Sequence, residues 1–321
     1  MLNFELSNGD KIPGVGMGTW LASDAEVFAS VKQALECGYR HIDCAPIYLN
    51  EKAVGQSLKD SLGSRLLSRD ELWVTSKLWN SFHEPEKVVG ALKKSLFDLQ
   101  LDYLDLYLMH WPVALKSTVG LNIAETADDF LSLEQVPLTA TWQAMEELVK
   151  QGLVKNLGVS NFSISKLKML QSQVSIPPVV NQVESHPYLV QHDLVKFCQS
   201  HNIHVTAYAP LGSGGRPEHF KEQDEPTVTV LANTSIHDIA KKYSLTVAQV
   251  ILQWQLQRGV SVIPKSSNVM RMQENLAVID ALELERSDIA VINGLDRVYR
   301  YYVGSTWTCD GSPYVADTFW C

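Results

Sequence analysis

Short apolar runs alternate with amphipathic stretches along most of the chain. Each apolar run is typical of a buried β-strand, and each following stretch repeats apolar residues three and four positions apart, as a helix that buries one face does. The predicted strands occupy residues 14–20, 41–45, 72–77, 104–110, 154–160, 179–184, 204–209 and 260–266. The predicted helices occupy residues 24–38, 50–62, 85–99, 140–152, 163–173, 191–201, 246–259 and 268–282.

Eight strand–helix units in an uninterrupted chain favour a closed (β/α)8 barrel, because an open doubly wound sheet is usually complete with fewer. No linker or low-complexity tract appears, so we expect one domain over residues 1–321. The segment FELSNGDKIPG (4–14) predicts an Asn-Gly β-hairpin ahead of the first barrel strand. A further helical pattern covers 285–296, and an aromatic-rich tail follows from residue 297. The predicted fold is α/β, a TIM barrel whose tail lies over the active-site face.

The longest irregular segments indicate where the barrel works. Residues 111–139 and 210–235 directly follow predicted strands four and seven, whereas the helix-to-strand connections are short. Long loops in compact domains are usually functional, and barrel enzymes carry their active sites at the carboxyl ends of the strands. We therefore expect the site at that end.

Composition narrows the class of protein. The chain is 45% hydrophobic and 20% charged, as in ordinary soluble proteins, and its net charge of −9 argues against a general nucleic-acid surface. The N-terminus lacks a signal-peptide pattern, and no apolar run approaches the length of a membrane span. Five cysteines without a CxxC pair suit a reducing cytoplasm, and no Cys/His cluster has metal-ligand spacing.

Four side chains with acid–base chemistry follow consecutive predicted strands. Asp43 ends the second strand with Tyr48 just beyond it, Lys77 ends the third, and His110 ends the fourth. Each alone is more often a solvated, paired or packed structural residue than a catalytic one. Because adjacent strand ends meet in a barrel, their coincidence predicts a shared site.

The chemistry of these groups suggests how they work together. A buried Lys77 ammonium needs a counter-ion, which Asp43 supplies. Lys77 beside Tyr48 should favour the phenolate and lower the pKa of the phenol from about 10. Tyr48 could then protonate a carbonyl oxygen that neutral His110 holds. Such a site has nothing with which to reduce carbon, so it requires a hydride donor.

A phosphate site is indicated near the end of the barrel. GVGMGTW (14–20) lacks the spacing and acidic partner of a dinucleotide fingerprint, so we interpret its glycines as close packing. In IPKSSNVMRMQEN, by contrast, Lys265 and Ser266 precede a helix that carries Arg271 on its first turns. Helix N-termini bind anions, although a solvated surface explains this segment equally well.

Tryptophans mark the same end of the barrel. Trp20, Trp79 and Trp111 each follow a predicted strand end, and Trp307 lies in the tail. Single tryptophans usually belong to cores, but three at one face predict an apolar pocket wall with the tail as a lid.

Together these segments resemble the aldo-keto reductase family from end to end, most closely the bacterial and plant-type aldehyde or aldose reductases. The most specific stretches are GYRHIDCAPIYLNE, TSKLWN, YLDLYLMHWP, GLVKNLGVSNF, NQVESHPYL, AYAPLGSG and IPKSSNVMRMQEN. The resemblance implies a catalytic tetrad of Asp43, Tyr48, Lys77 and His110, with Tyr48 as general acid. It implies a substrate pocket formed by Trp20, Tyr48, Trp79, His110 and Trp111.

The resemblance also implies an NADPH site. The implied nicotinamide contacts are Ser160, Asn161, Gln182 and Tyr208. The implied diphosphate loop contains Pro210, Leu211 and Ser213. The implied contacts of the adenosine 2′-phosphate are Lys265, Ser266 and Arg271. Those of the adenine are Glu274 and Asn275. Further implied cofactor contacts are Thr19, Trp20 and Asp43.

These observations and the resemblance predict a cytoplasmic, NADPH-dependent reductase of aldehydes that needs no metal, with aldoses and small ketones as further candidate substrates. The resemblance also implies a monomer or loose dimer. Two alternatives stay open: a non-catalytic barrel that binds NADPH as a regulator, and an aldolase that uses Lys77 to form a Schiff base. The loop at 111–139 and the tail do not name a substrate.

Overall fold

The barrel strands form where the pattern predicts them. The computed structural model describes residues 2–64, 66–218, 221 and 225–321, and eight parallel strands form its main sheet. In chain order the strands are β1 (Asn3–Glu5), β2 (Lys11–Pro13), β3 (Met17–Gly18), β4 (His41–Asp43), β5 (Trp73–Leu78), β6 (Leu104–Met109), β7 (Ala114–Leu115), β8 (Phe130–Leu131), β9 (Val154–Ser160), β10 (Val180–Glu184), β11 (His204–Tyr208) and β12 (Val260–Val262). The main sheet runs β3-β4-β5-β6-β9-β10-β11-β12.

Most of the helices follow barrel strands and cover the outside of the sheet. They are α1 (Asp24–Cys37), α2 (Glu51–Gly63), α3 (Pro85–Leu99), α4 (Leu138–Lys150), α5 (Ile164–Gln171), α6 (His192–Ser200), α7 (Thr234–Tyr243), α8 (Val247–Gln257), α9 (Val269–Leu276), α10 (Arg286–Asn293) and α11 (Ala316–Phe319). None of the helices in the described ranges combines the length and apolar character needed to cross a bilayer.

Backbone hydrogen bonds join the first and last barrel strands. A parallel bridge pairs Val15 with Val262. The Gly16 amide donates to the Val262 carbonyl over 2.8 Å, and the Val262 amide donates to the Gly14 carbonyl over 2.9 Å. This seam closes the sheet into a barrel, as the sequence predicted. A Cβ at Gly18 would lie 3.0 Å from the Ile263 carbonyl oxygen, which confirms that a seam glycine is there for close packing.

The predicted hairpin covers one end of the barrel. Strands β1 and β2 pair in antiparallel register, and Gly9 in the turn has φ +89°. Leu6 and Ile12 are buried with the barrel-interior residues Leu106 and Leu108. The hairpin therefore closes the amino-terminal end with apolar side chains, and the opposite end stays available for a site.

Four elements form where the pattern predicted neither a helix nor a strand. Helix α7 carries few large aliphatic residues, so its periodicity was too weak to predict it; Ile236 and Ile239 nevertheless pack against Trp254 of α8. The Asn233 side chain accepts from the Ile236 amide at its start. Strands β7 and β8 form a small hairpin within 111–139, and α11 lies in the tail.

Helices α2 and α3 approach each other at Gly55. A Cβ built there would fall 2.1 Å from the Asp98 carbonyl oxygen and 2.6 Å from the Leu99 carbonyl carbon. We expect Gly55→Ala to lower the free energy of unfolding by roughly 1–3 kcal/mol, because backbone must move to admit the methyl group. Denaturant melts measure this. The control is Gly90→Ala in α3, which meets nothing within 4 Å and should stabilise by about 0.5–1 kcal/mol. Equal effects of the two changes would contradict the packing argument.

Candidate active site

A large cavity lies at the carboxyl ends of the barrel strands. Its volume is ≈ 1390 Å³, and residues that follow β3, β6, β9 and β11 line it. Every residue that the sequence predicted for the cofactor lies in its wall: Thr19, Trp20, Asp43, Ser160, Asn161, Gln182, Tyr208, Pro210, Leu211, Ser213, Lys265, Ser266, Arg271, Glu274 and Asn275. The predicted substrate-pocket residues Trp20, Tyr48, Trp79, His110 and Trp111 lie in the same wall.

Asp43 has two partners in the barrel interior. Its Oδ1 accepts from Lys77 Nζ over 2.5 Å, and its Oδ2 accepts from Gln182 Nε2 over 2.7 Å. Lys77 lies behind the cavity wall, fully buried, and also donates to the Cys44 carbonyl over 2.8 Å. Burial disfavours the Lys77 ammonium, but the Asp43 carboxylate outweighs it, so the pKa of Lys77 is raised. Lys77 is therefore a fixed cation.

Tyr48 reaches this ion pair from a short 3₁₀ turn (Pro46–Tyr48). Its hydroxyl lies 3.4 Å from Lys77 Nζ. Burial raises the pKa of Tyr48, and Lys77 only partly offsets that rise. The expectation of a lowered pKa was therefore wrong in its net direction, because it weighed the neighbouring charge but not the desolvation of a phenolate. A phenol with a raised pKa keeps its proton at neutral pH.

His110 faces Tyr48 across the cavity. The two rings are 6.0 Å apart at 82°, and the Trp79 indole lies 5.2 Å from the imidazole. Burial, followed by the Lys77 charge, holds the pKa of His110 well below its usual value. The imidazole is thus neutral and keeps one N–H. The Asn161 side chain fixes the local backbone, since its Nδ2 donates to the His110 carbonyl over 3.0 Å.

Polar groups of β9, β10 and β11 form a connected set beside the tetrad residues. Ser160 Oγ donates to the Gln182 carbonyl over 2.8 Å, and the Tyr208 hydroxyl donates to Asn161 Oδ1 over 2.8 Å. Asn161 itself adopts φ +64°, which a short amide side chain tolerates better than most. The set places amide and hydroxyl groups next to the Tyr208 ring, where a flat polar ring could stack and be hydrogen-bonded.

Positive charge lies at the other end of the cavity. Helix α9 is capped by Asn268, whose side chain accepts from the Arg271 amide over 3.1 Å. Lys265 and Ser266 precede this cap, as predicted, and line the cavity with Arg271. Lys265 Nζ lies 2.8 Å from Glu26 Oε1 of α1. Glu26 carries no distinct signal in the sequence, because residue 26 lies in the predicted first helix and fits the pattern of a helix start.

Aromatic side chains of the tail complete the cavity wall. The Trp307 ring lies 5.8 Å from Trp79 and 5.6 Å from Trp111, and Trp320 lies 5.9 Å from Trp111. The Trp79 indole N–H donates to the Asn122 carbonyl over 3.0 Å, so the 111–139 segment joins the same wall. The tail therefore covers the active-site face, as the sequence predicted.

Glu184 and Tyr302, which were not predicted from the sequence, hold the tail in place. Buried Glu184 accepts from the Tyr301 and Tyr302 amides over 2.7 and 3.0 Å. The Tyr302 hydroxyl is 2.5 Å from Ser213 Oγ, which ties the tail to the 210–217 loop. A signal for Glu184 existed: it stands two residues after Gln182, so both side chains leave β10 on the same face.

Comparison with known proteins agrees with this architecture. A sequence model described as the Aldo/keto reductase family matches residues 14–297. An aldo/keto reductase of Synechocystis is 49% identical over 320 residues, which is 100% of this chain and 96% of that protein. Human aldo-keto reductase family 1 member A1 is 44% identical over 314 residues, covering 97% and 94%.

Solved structures give the same result. The aldose reductase of Schistosoma japonicum superposes with a TM-score of 0.86 at 38% identity, covering 95% of this chain and 96% of that one. A Bombyx mori aldo-keto reductase, solved in complex with NADP, superposes with a TM-score of 0.86 at 35% identity and the same coverage. The predicted resemblance is confirmed, and this chain, an oxidoreductase, belongs to the aldo/keto reductase family.

Proposed function

We propose that this protein reduces aldehydes to alcohols with NADPH, and that Tyr48 donates the proton. The observation that carries the proposal is the meeting of Tyr48 and His110 at one cavity, with the buried Lys77–Asp43 pair directly behind Tyr48. Membership of the aldo/keto reductase family and the NADP complex of the Bombyx mori relative support the choice of reaction and cofactor.

The donor set of the cavity suits NADPH. Lys265, Ser266 and Arg271 would hold the 2′-phosphate, with Glu274 and Asn275 at the adenine. The 210–213 loop would cover the diphosphate. Ser160, Asn161 and Gln182 would bind the carboxamide while the Tyr208 ring stacks on the nicotinamide. When bound, NADPH supplies the hydride that the protein's own side chains lack.

Tyr48 donates the proton, and Lys77 stabilises the phenolate that forms. The raised pKa of Tyr48 keeps the phenol protonated until a carbonyl oxygen takes up negative charge. Lys77, 3.4 Å from the hydroxyl, then stabilises the phenolate that remains. Asp43 holds the ammonium in position and charged. Neutral His110 donates its N–H to the same carbonyl oxygen and so orients the substrate.

The structure disfavours the aldolase alternative. Schiff-base formation requires a neutral amine, whereas the pKa of Lys77 is raised by Asp43 and its Nζ is engaged by Asp43 and the Cys44 carbonyl. Lys77 also lies behind the cavity wall rather than in it.

Cofactor titration tests the proposal directly. We expect NADPH to quench the fluorescence of the protein's tryptophans at micromolar or lower concentration, and NADH to bind more weakly, because Lys265 and Arg271 meet the 2′-phosphate only in NADPH. Aldehyde-dependent loss of absorbance at 340 nm should follow in the same samples. Binding without turnover of any aldehyde would favour the regulatory barrel, and binding of neither cofactor would end the reductase proposal.

A further inference from the structure

We infer that Glu26 sets how strongly the protein prefers NADPH to NADH, by pairing with Lys265 at the mouth of the phosphate site. This inference rests on the proposed function, which assigns Lys265 to the 2′-phosphate. It adds a specificity-determining residue from a different part of the chain, at the first turn of α1.

The contact joins two elements that are far apart in sequence. Glu26 Oε1 and Lys265 Nζ are 2.8 Å apart, and both side chains are about one-third exposed, at 35% and 33%. The Lys265 ammonium, and next the Ser267 hydroxyl, hold the pKa of Glu26 below its usual value. Glu26 is therefore anionic at neutral pH, and its carboxylate lies beside the cation that the phosphate needs.

Because of this pairing, the two basic residues of the phosphate site, Lys265 and Arg271, differ in how freely they can bind a phosphate. Lys265 is shared with a carboxylate, so a 2′-phosphate must compete with Glu26 for the ammonium and is repelled by the carboxylate charge. Arg271, in contrast, has no carboxylate within ion-pair distance among the described residues. The site consequently offers less net positive charge to a phosphate than its two basic residues alone would give.

Glu26 should affect the two cofactors differently. NADPH carries the extra phosphate and meets both the competition and the repulsion. NADH carries a ribose hydroxyl at that position, and acidic side chains are the usual acceptors for this hydroxyl in NAD-binding proteins. The Glu26 carboxylate thus lowers the affinity for NADPH and leaves the affinity for NADH unchanged. The preference for NADPH over NADH is therefore smaller than Lys265 and Arg271 alone would produce.

Glu26→Gln is the informative change. Glu26 stands three residues after the helix cap Ser23, where glutamine serves a capping box as well as glutamate does, so α1 should fold normally. We expect the Kd of NADPH, measured by tryptophan quenching at low salt, to fall about 3- to 10-fold, because a carboxylate next to the phosphate is removed. The Kd of NADH should stay within about twofold or rise.

Asp24→Asn provides the matched control. Asp24 lies in the same first turn and is exposed, so its loss changes net charge and helix dipole equally but leaves Lys265 untouched. We expect Asp24→Asn to shift the NADPH Kd less than about twofold. An equal gain from both variants would reduce the effect to general electrostatics and overturn the inference.

Lys265→Ala separates failure of this inference from failure of the proposed site. Without Lys265 the competition disappears and only the screened repulsion between the Glu26 carboxylate and the phosphate remains. The gain from Glu26→Gln should therefore shrink to less than about twofold in the Lys265→Ala background. A gain of undiminished size there would show that Lys265 is not involved. If Lys265→Ala left the Kd of NADPH unchanged, the assignment of Lys265 to the 2′-phosphate would be wrong. A normal loss at Lys265 with no gain at Glu26→Gln would overturn the role of Glu26 alone.

Discussion

Tyr48→Phe should lower kcat for aldehyde reduction by about 10²–10⁴-fold, the range that a positioned proton donor supplies. The phenyl ring keeps the packing against His110 and the cavity wall, whereas the proton that the carbonyl oxygen requires is lost. NADPH affinity should stay within about threefold, since none of the proposed cofactor contacts uses the hydroxyl. Steady-state assays at 340 nm and fluorescence titration measure the two quantities separately.

Tyr107→Phe is the control for that change. Tyr107 is fully buried in β6, and its hydroxyl has no hydrogen-bond partner among the described residues. The same chemical change should therefore leave kcat within about twofold, because no bond to the reacting groups is lost. Turnover that survives in Tyr48→Phe would remove Tyr48 from the reaction and turn attention to His110 as the proton donor.

Lys265→Ala combined with Arg271→Ala should raise the Kd of NADPH by about 100-fold or more. Each charge-assisted contact to a phosphate contributes roughly 1.5–3 kcal/mol, so two losses multiply. NADH lacks that phosphate, and its Kd should rise less than about fivefold, since only screened, longer-range attraction is lost. The ratio of the two Kd values is the diagnostic quantity.

A second double variant tests whether net charge alone explains the loss. Lys93→Ala with Arg286→Ala removes the same two charges from exposed positions on α3 and α10. We expect less than about a twofold change for either cofactor at physiological salt, because charges this exposed are screened. A parallel weakening of NADPH and NADH in the Lys265/Arg271 variant would mean that the two residues do not contact the 2′-phosphate.

The barrel could be predicted because its strands are strongly patterned. Strand β5, for example, was expected over 72–77 and spans Trp73–Leu78, a run whose residues are all buried. Helix α7 was missed because the only large aliphatic residues on its buried face are Ile236 and Ile239, too few to set a period. Its position depends on the α8 surface that receives it.

The candidate site likewise has features that could be predicted from the sequence and features that could not. Residues at strand ends, such as Asp43 and Lys77, were predictable because parallel strands bring their ends together. The direction of the Tyr48 pKa was not, since it depends on how far burial outweighs one charge 3.4 Å away. Nor was the Glu26–Lys265 pair, which joins positions 239 residues apart through the closure of the barrel.

That closure has a consequence for folding. The seam between β3 and β12 consists of short strands, and the cavity wall continues on both sides of it, with Thr19 and Trp20 on one side and Lys265 and Ser266 on the other. A cofactor that contacts both sides would connect the first strand of the barrel to its last. Binding and closure of the seam would then be one linked equilibrium, so that cofactor concentration would set the thermal stability of the whole barrel.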